Sequence, residues 1–224
     1  MEYKIAGSPL PVAICSLNKG EAVFTEKGGM SWMTEGFDMS TNMDGGLFSG
    51  LTRKMSGESF FMTTYTAKAS GEIAFASEYP GEIKALNLRD GESVICQKDA
   101  FMAAERSVTL AAHFKKKIGF GFFGGEGFVM QKLTGPGTAF VELDGTVVEY
   151  GLKPGQKMLI DTGSLAMCEP TVDLDIQMVK GFKNILFGGE GLFLTTATGP
   201  GKIWLQSMSV AGLANKILAL VPGK

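Results

Sequence analysis

Histidine is almost missing from this chain: His113 is the only one in 224 residues. A transition-metal site of the cupin kind wants several imidazoles, and one histidine supplies at most one ligand. The same scarcity excludes a Ser-His-Asp triad built on any other histidine, and His113 reads as a surface or core-edge residue. Cysteine is also scarce. Cys15, Cys96 and Cys168 make an odd count with no CxxC pair, which fits a reducing compartment better than a disulfide framework. Each reads as a buried structural thiol. No apolar run reaches the roughly 18 residues of a membrane span. The opening stretch MEYKIAGSPLPVAIC has no basic segment leading into an unbroken apolar one, so no signal peptide is expected. Charge of one sign is absent too: 21 Lys and Arg stand against 23 Asp and Glu, with a pI near 5.6. That removes the overall basic excess of most nucleic-acid binders. The expectation is a cytoplasmic protein without cofactor, metal or catalytic constellation.

What the sequence does have is apolar content and glycine. Hydrophobic residues make up 45% and charged residues 20%, enough to bury a substantial core. The 31 glycines point to many tight turns rather than long helices.

One glycine-rich phrase is written twice. FGGEGFVMQKLTGPG begins at Phe123 and FGGEGLFLTTATGPG at Phe187, with nine of fifteen positions identical at an offset of 64. The segments from Gly81 and Gly145 align at that same offset, and the segment from Leu10 joins the frame at an offset of 71. A shorter copy, SGESFFMTTYTAKASGEIAF, starts at Ser56. The chain therefore reads as one β domain over 1–224, made of three repeats (about 10–80, 81–144 and 145–208) plus a C-terminal helix over 209–221. A fixed period of this kind signals one structural unit repeated around an axis or along a stack.

Comparing the copies decides the secondary structure. DAFMAAERSVTLAAHF could be helix by propensity, but its third-repeat partner TVDLDIQM alternates apolar and polar residues, which argues strand. Gly20, Gly91 and Gly155 sit in the turn sequences NKGE, RDGE and KPGQ. Gly28, Asp99 and Gly163 fall between short apolar stretches at a hairpin-like spacing. Gly135-Pro136-Gly137 is expected at a corner between two strands. The fold class is all-β: triplicated strand repeats forming a pseudo-threefold barrel or prism around one shared core. In SVAGLANKILALVPGK, Val210, Leu213, Ile217 and Leu220 fall on one helical face. That face is expected to pack on the barrel or on a neighbouring subunit.

These motifs resemble a known family. GESFF, two GGEG phrases each followed by an apolar residue, TGPG followed by WLQ, and GE turns appear in order from Ile5 to Gln206. They resemble the altered inheritance of mitochondria protein 24 family, whose prokaryotic members form a domain of unknown function. The resemblance implies a fold similar to a double-stranded β-helix, trimers in some prokaryotic members, and a link to mitochondrial biogenesis in the mitochondrial ones. It implies no catalytic residues.

Three features invite chemistry. GFGFFG, Gly119 to Gly124, matches GxGxxG, but the stretch after it reads as strand and not as the helix a dinucleotide fingerprint needs. Glu58, Glu126 and Glu190 occupy equivalent positions and could ring a hard cation, though calcium loops bring several oxygen donors close in sequence. The preferred reading makes Gly57, Glu58, Gly125, Glu126, Gly189 and Glu190 structural turn anchors. Lys115, Lys116 and Lys117, with Phe120 and Phe122, form a possible interaction loop of the basic-aromatic kind.

The function expected is that of a non-catalytic scaffold or interaction protein that self-associates, as a homo-oligomer and by resemblance a trimer, with a possible protein partner. The alternative is a small-molecule or anion-binding module with a cavity near the pseudo-threefold axis. The second alternative is nucleic-acid or membrane-surface binding through the Lys and Phe loops. The near-neutral charge speaks against nucleic acid. The terminal segment offers only Lys216 and Lys224 for a membrane surface.

Overall fold

A computed structural model of the protein describes residues 1–26, 28–42, 62–116, 127–178 and 193–220. These residues form strands and one helix. An N-terminal strand, β1 (Glu2–Ala6), is followed by β2 (Val12–Leu17), β3 (Ala22–Glu26), β4 (Trp32–Met33), β5 (Phe37–Asn42), β6 (Met62–Ala67) and β7 (Gly71–Ala76). The middle of the chain contributes β8 (Gly81–Leu88), β9 (Ser93–Gln97), β10 (Phe101–Glu105), β11 (Thr109–Lys116), β12 (Phe128–Thr134) and β13 (Gly137–Asp144). Then come β14 (Val147–Leu152), β15 (Lys157–Asp161), β16 (Leu165–Cys168), β17 (Asp173–Met178), β18 (Phe193–Thr198), β19 (Gly201–Gln206) and the helix α1 (Val210–Leu220). The all-β reading holds, and the alanine run is two strands, β10 and β11. No helix among the described residues is long and apolar enough to cross a membrane.

The strands form four antiparallel sheets in the orders β1-β2-β7-β4, β5-β6-β3-β10-β13-β8, β11-β12-β9-β16-β19-β14 and β15-β18-β17. Similar pairings recur along the chain: β2 with β7, β8 with β13, β14 with β19, and β3 with β6, β9 with β12, β15 with β18. Two pairings join successive parts of the chain, β3 with β10 and β9 with β16.

The hairpins expected at Gly28, Asp99 and Gly163 are not there. Single 3-10 turns at Lys98–Ala100 and Thr162–Ser164 separate β9 from β10 and β15 from β16. The strands they separate lie in different sheets, as do β3 and β4. The short turn redirects the chain across the sandwich instead of folding it back on its neighbour. The Asp161 carboxylate accepts the Gly163 N–H at 3.0 Å and so caps the second of these turns.

The turns read at Gly20, Gly91 and Gly155 do form, and they share one chemistry. The side chains of Glu21, Glu92 and Gln156 accept the backbone N–H of Asn18, Arg89 and Lys153 at 2.7, 3.0 and 2.9 Å. Their own N–H groups donate to the carbonyls of the same three residues at 3.0, 3.0 and 2.9 Å. Each turn is closed from both sides, leaving its polar backbone satisfied.

TGPG marks a place of close approach. A Cβ on Gly135 would overlap the carbonyl oxygens of Leu88 and Arg89, and one on Gly199 would overlap that of Lys153. The phrase is repeated because only glycine lets those backbones meet.

The buried apolar side chains form three clusters, not the one shared core expected. One gathers Cys15, Ile73, Phe75 and Phe140 between the first and second sheets. A second gathers Phe24, Phe101, Leu133 and Leu143 between the second and third. The third gathers Phe128, Met130, Ile160 and Ile176 between the third and fourth. Each pair of facing sheets closes its own sandwich, so apolar contact runs within a sandwich while hydrogen bonding runs along the sheets.

Candidate functional site

The structure places few of the residues singled out from sequence. Gly57, Glu58, Gly125, Glu126, Gly189, Glu190, Lys117, Phe120 and Phe122 lie outside the described residues. Lys115 and Lys116 end β11, opposite Val129 and Phe128 of β12. His113 is exposed on β11, and partial desolvation of its ring, then the charge of nearby Lys132, lowers its pKa. All three cysteines are free and buried, with thiols pushed up to about 12, chiefly by desolvation. Such thiols are inert at neutral pH.

Among the described residues, one feature with the geometry of a site is a half-open cavity of about 850 Å³. That size suits a small organic molecule. Its walls come from distant parts of the chain. The end of β3 supplies Thr25 and Glu26, and the segment after β7 supplies Glu78 and Tyr79. The 3-10 turn before β10 supplies Lys98 and Asp99, followed by Phe101 and Met102 of that strand. β12 adds Phe128 and Val129, and the end of β13 adds Glu142 and Asp144. Gln206 ends β19 at the same place, and α1 forms a further wall with Val210, Ala211, Ala214 and Leu218.

Side-chain amides tie these pieces together. Gln206 accepts the Asp144 N–H at 3.1 Å through Oε1 and donates through Nε2 to the Gly163 carbonyl at 3.1 Å. Gln97, also in the wall, donates to the Leu165 carbonyl at 2.6 Å. Ser209 then starts the helix: its Oγ accepts the Gly212 N–H at 3.1 Å, and its carbonyl accepts that of Leu213 at 2.9 Å. This is an N-cap. The helix is the one expected, but it is turned differently. Val210 and Ala211 meet the cavity half-buried, Ala214 and Leu218 line it while exposed, and Ile217 and Leu220 are 55% and 83% exposed.

The electrostatics of the wall are one-sided. Glu26, Glu78, Asp99, Glu142 and Asp144 stand against one lysine, Lys98, among the described lining residues. Among the described residues that balance favours a cation over an anion. Asp144 is strongly perturbed. It is 9% exposed, and burial, then the charges of Glu142 and Asp99, push its carboxyl up to about 6. Burial also raises Glu142, partly offset by N–H donation from Tyr79 and Glu78. The Tyr79 N–H reaches Glu142 Oε1 at 3.1 Å. Glu142 and Asp144 are two residues apart on one strand and point to the same side. The sequence signal was there: two acids at period two, closing the otherwise apolar strand AFVELD. Among the described residues no three Asp, Glu, His or Cys side chains are grouped as a metal site requires.

Comparison with known proteins agrees with the motif resemblance. The chain is 30% identical over 221 residues to an uncharacterised protein of Streptococcus pyogenes serotype M6, covering 95% of this chain and 87% of that one. It is also similar to an X-ray crystal structure of a Streptococcus pyogenes protein, with a TM-score of 0.77 and 26% identity, covering 98% of this chain and 99% of that one. Residues 3–208 match the family described as mitochondrial biogenesis AIM24. With that match spanning nearly the whole sequence, the chain belongs to the AIM24 family.

Proposed function

We propose that this protein is a non-catalytic interaction scaffold that self-associates, built of three strand repeats arranged around a pseudo-threefold axis. The observation that carries the reading is an unmade pairing. The second strand of the first repeat, β3, pairs with the third strand of the second, β10. The matching strands one repeat later, β9 and β16, do the same. The remaining combination is β15 of the third repeat with β4 of the first, and these two strands are edges of different sheets.

An edge strand presents unpaired N–H and C=O groups and recruits a partner unless it is protected. Apolar side chains stand at both edges: Leu159 of β15 is 69% exposed and Trp32 of β4 is 51% exposed. The partner that fits β15 is β4 of a second copy, because that junction repeats one already formed twice within each chain. A head-to-tail contact of this kind closes into a ring when the rotation allows, consistent with the trimer that the family resemblance implies.

Native mass spectrometry and light scattering test the proposal. The expected mass is a small multiple of 23.8 kDa. Leu159→Lys combined with Trp32→Lys is expected to return the protein to monomer with unchanged circular dichroism. A monomeric native protein at micromolar concentration would refute self-association. An oligomer unaffected by the double substitution would move its contact away from these edges.

A further inference from the structure

We infer that the cavity beside α1 binds a small organic cation, a primary amine carrying an apolar body, with its ammonium group held by Asp144. This inference is independent of self-association. It begins from the surroundings of Asp144. The backbone of this residue is engaged on both sides, its N–H with Gln206 and its carbonyl with the Met208 N–H at 3.4 Å. The carboxylate has neither a hydrogen bond nor an ion pair among the described residues, although the residue is 9% exposed. A buried carboxylate without a partner is costly. Its charged neighbours worsen that cost: Glu142 lies on its own strand and Asp99 on the facing 3-10 turn.

Glu26 at the end of β3 and Glu78 after β7 also line the cavity, with Lys98 as the cation among its described lining residues. A guest with N–H donors and a positive charge satisfies the Asp144 carboxylate and lowers its repulsion with Glu142 and Asp99 together. A metal ion would do the second but lacks a set of three ligands among the described residues. The remaining wall combines polar Thr25, Gln97, Gln206 and Ser209 with apolar residues, among them Ala76, Ala100, Val210 and Ala211. Such a surface takes a hydrocarbon or aromatic body, while the polar groups fix its orientation.

The cavity also predicts how binding responds to pH. Asp144 must be ionised to hold an ammonium group, and its carboxyl titrates near 6. Affinity is therefore full at pH 7 to 8 and falls as the pH drops through about 6.

The test is calorimetric titration of the full chain with phenylethylamine, tryptamine and cyclohexylamine, with phenylethanol as an uncharged control. Saturable binding of at least one amine is expected, with none from the alcohol. Asp144→Asn should weaken it by about tenfold or more, the loss of a charge-assisted hydrogen bond. Ala214→Trp fills the cavity from the helix and should abolish binding without touching Asp144, so the test survives if the first variant misfolds. Three results would overturn the inference: no saturable binding of any of the amines, equal binding of phenylethanol, or unchanged affinity in both folded variants. Displacement of the amine by Ca²⁺ at equal concentration would overturn it as well, since it would mark the site as a metal site.

Discussion

At the residue scale, Asp144 and the turn acids show opposite uses of a carboxylate. Glu92 lies at the surface and closes a turn by accepting the Arg89 N–H. Its removal by Glu92→Ala orphans one donor that water reaches, so the expected loss is about 0.5–1.5 kcal/mol, read from urea denaturation. Asp144 is buried, and its folded pKa of about 6 lies above the ordinary value of 3.8. A carboxyl raised in the fold contributes most when protonated. Its penalty is absent below about pH 4 and appears as the pH climbs through 6. Asp144→Asn removes the titration. Without ligand it is expected to stabilise the protein at pH 7 by about 1–2 kcal/mol, discounted from the full shift for residual solvent access. That gain should vanish below about pH 4. Thermal melts of both proteins from pH 3.5 to 8 check the sign. A variant less stable at pH 7 would mean that the carboxylate has a partner.

Elements in this protein depend on close backbone approach and on caps. Gly135 precedes β13 and sits against the carbonyls of Leu88 and Arg89. Gly135→Ala forces those backbones apart, and its expected cost of about 1–3 kcal/mol matches that of overpacking a tight site. The same substitution at Gly155, where a Cβ meets nothing within 4 Å, is strained only by its positive φ of 73°. Comparing the two separates steric from conformational cost. For α1 the cap decides. Ser209→Ala leaves the Gly212 N–H without its partner and is expected to cost about 1 kcal/mol. The loss should appear as faster amide exchange over residues 210–213. Uniform exchange along the helix in both proteins would mean that packing alone holds its first turn.

On the scale of the whole molecule, three apolar clusters are joined by two six-stranded sheets. The second sheet carries strands from the first and second clusters' sandwiches, and the third sheet links the next two in the same way. Breaking one sandwich therefore strips hydrogen-bonded neighbours from the next. Phe75→Ala and Phe128→Ala remove fully buried rings from different clusters. Each is expected to cost about 3–5 kcal/mol, and each should lower one common calorimetric transition. Two resolved transitions in either variant would show that the sandwiches unfold as separate units.

Much of the local structure was legible in the sequence. Period-two alternation marked the strands, NKGE, RDGE and KPGQ marked turns that form, and TGPG marked a corner. Each depends on residues within a few positions of one another. The positions Gly28, Asp99 and Gly163 were also read as chain reversals, but whether a reversal returns to its own sheet or crosses to the next depends on partners such as Phe24 for Ala104 and Cys96 for Met167. The helix was legible in its extent and not in its facing, because Val210 and Ala211 turn toward walls built from other strands. The cavity was the least legible part. Its lining runs from Thr25 to Leu218, and no single segment has the look of a site. By itself the sequence determined an all-β chain, its turns and its family, since these follow from local sterics and spacing. Only the tertiary structure decided that Asp144 is buried beside Glu142 and Asp99, because desolvation and field are properties of what surrounds a group and not of its neighbours in the chain.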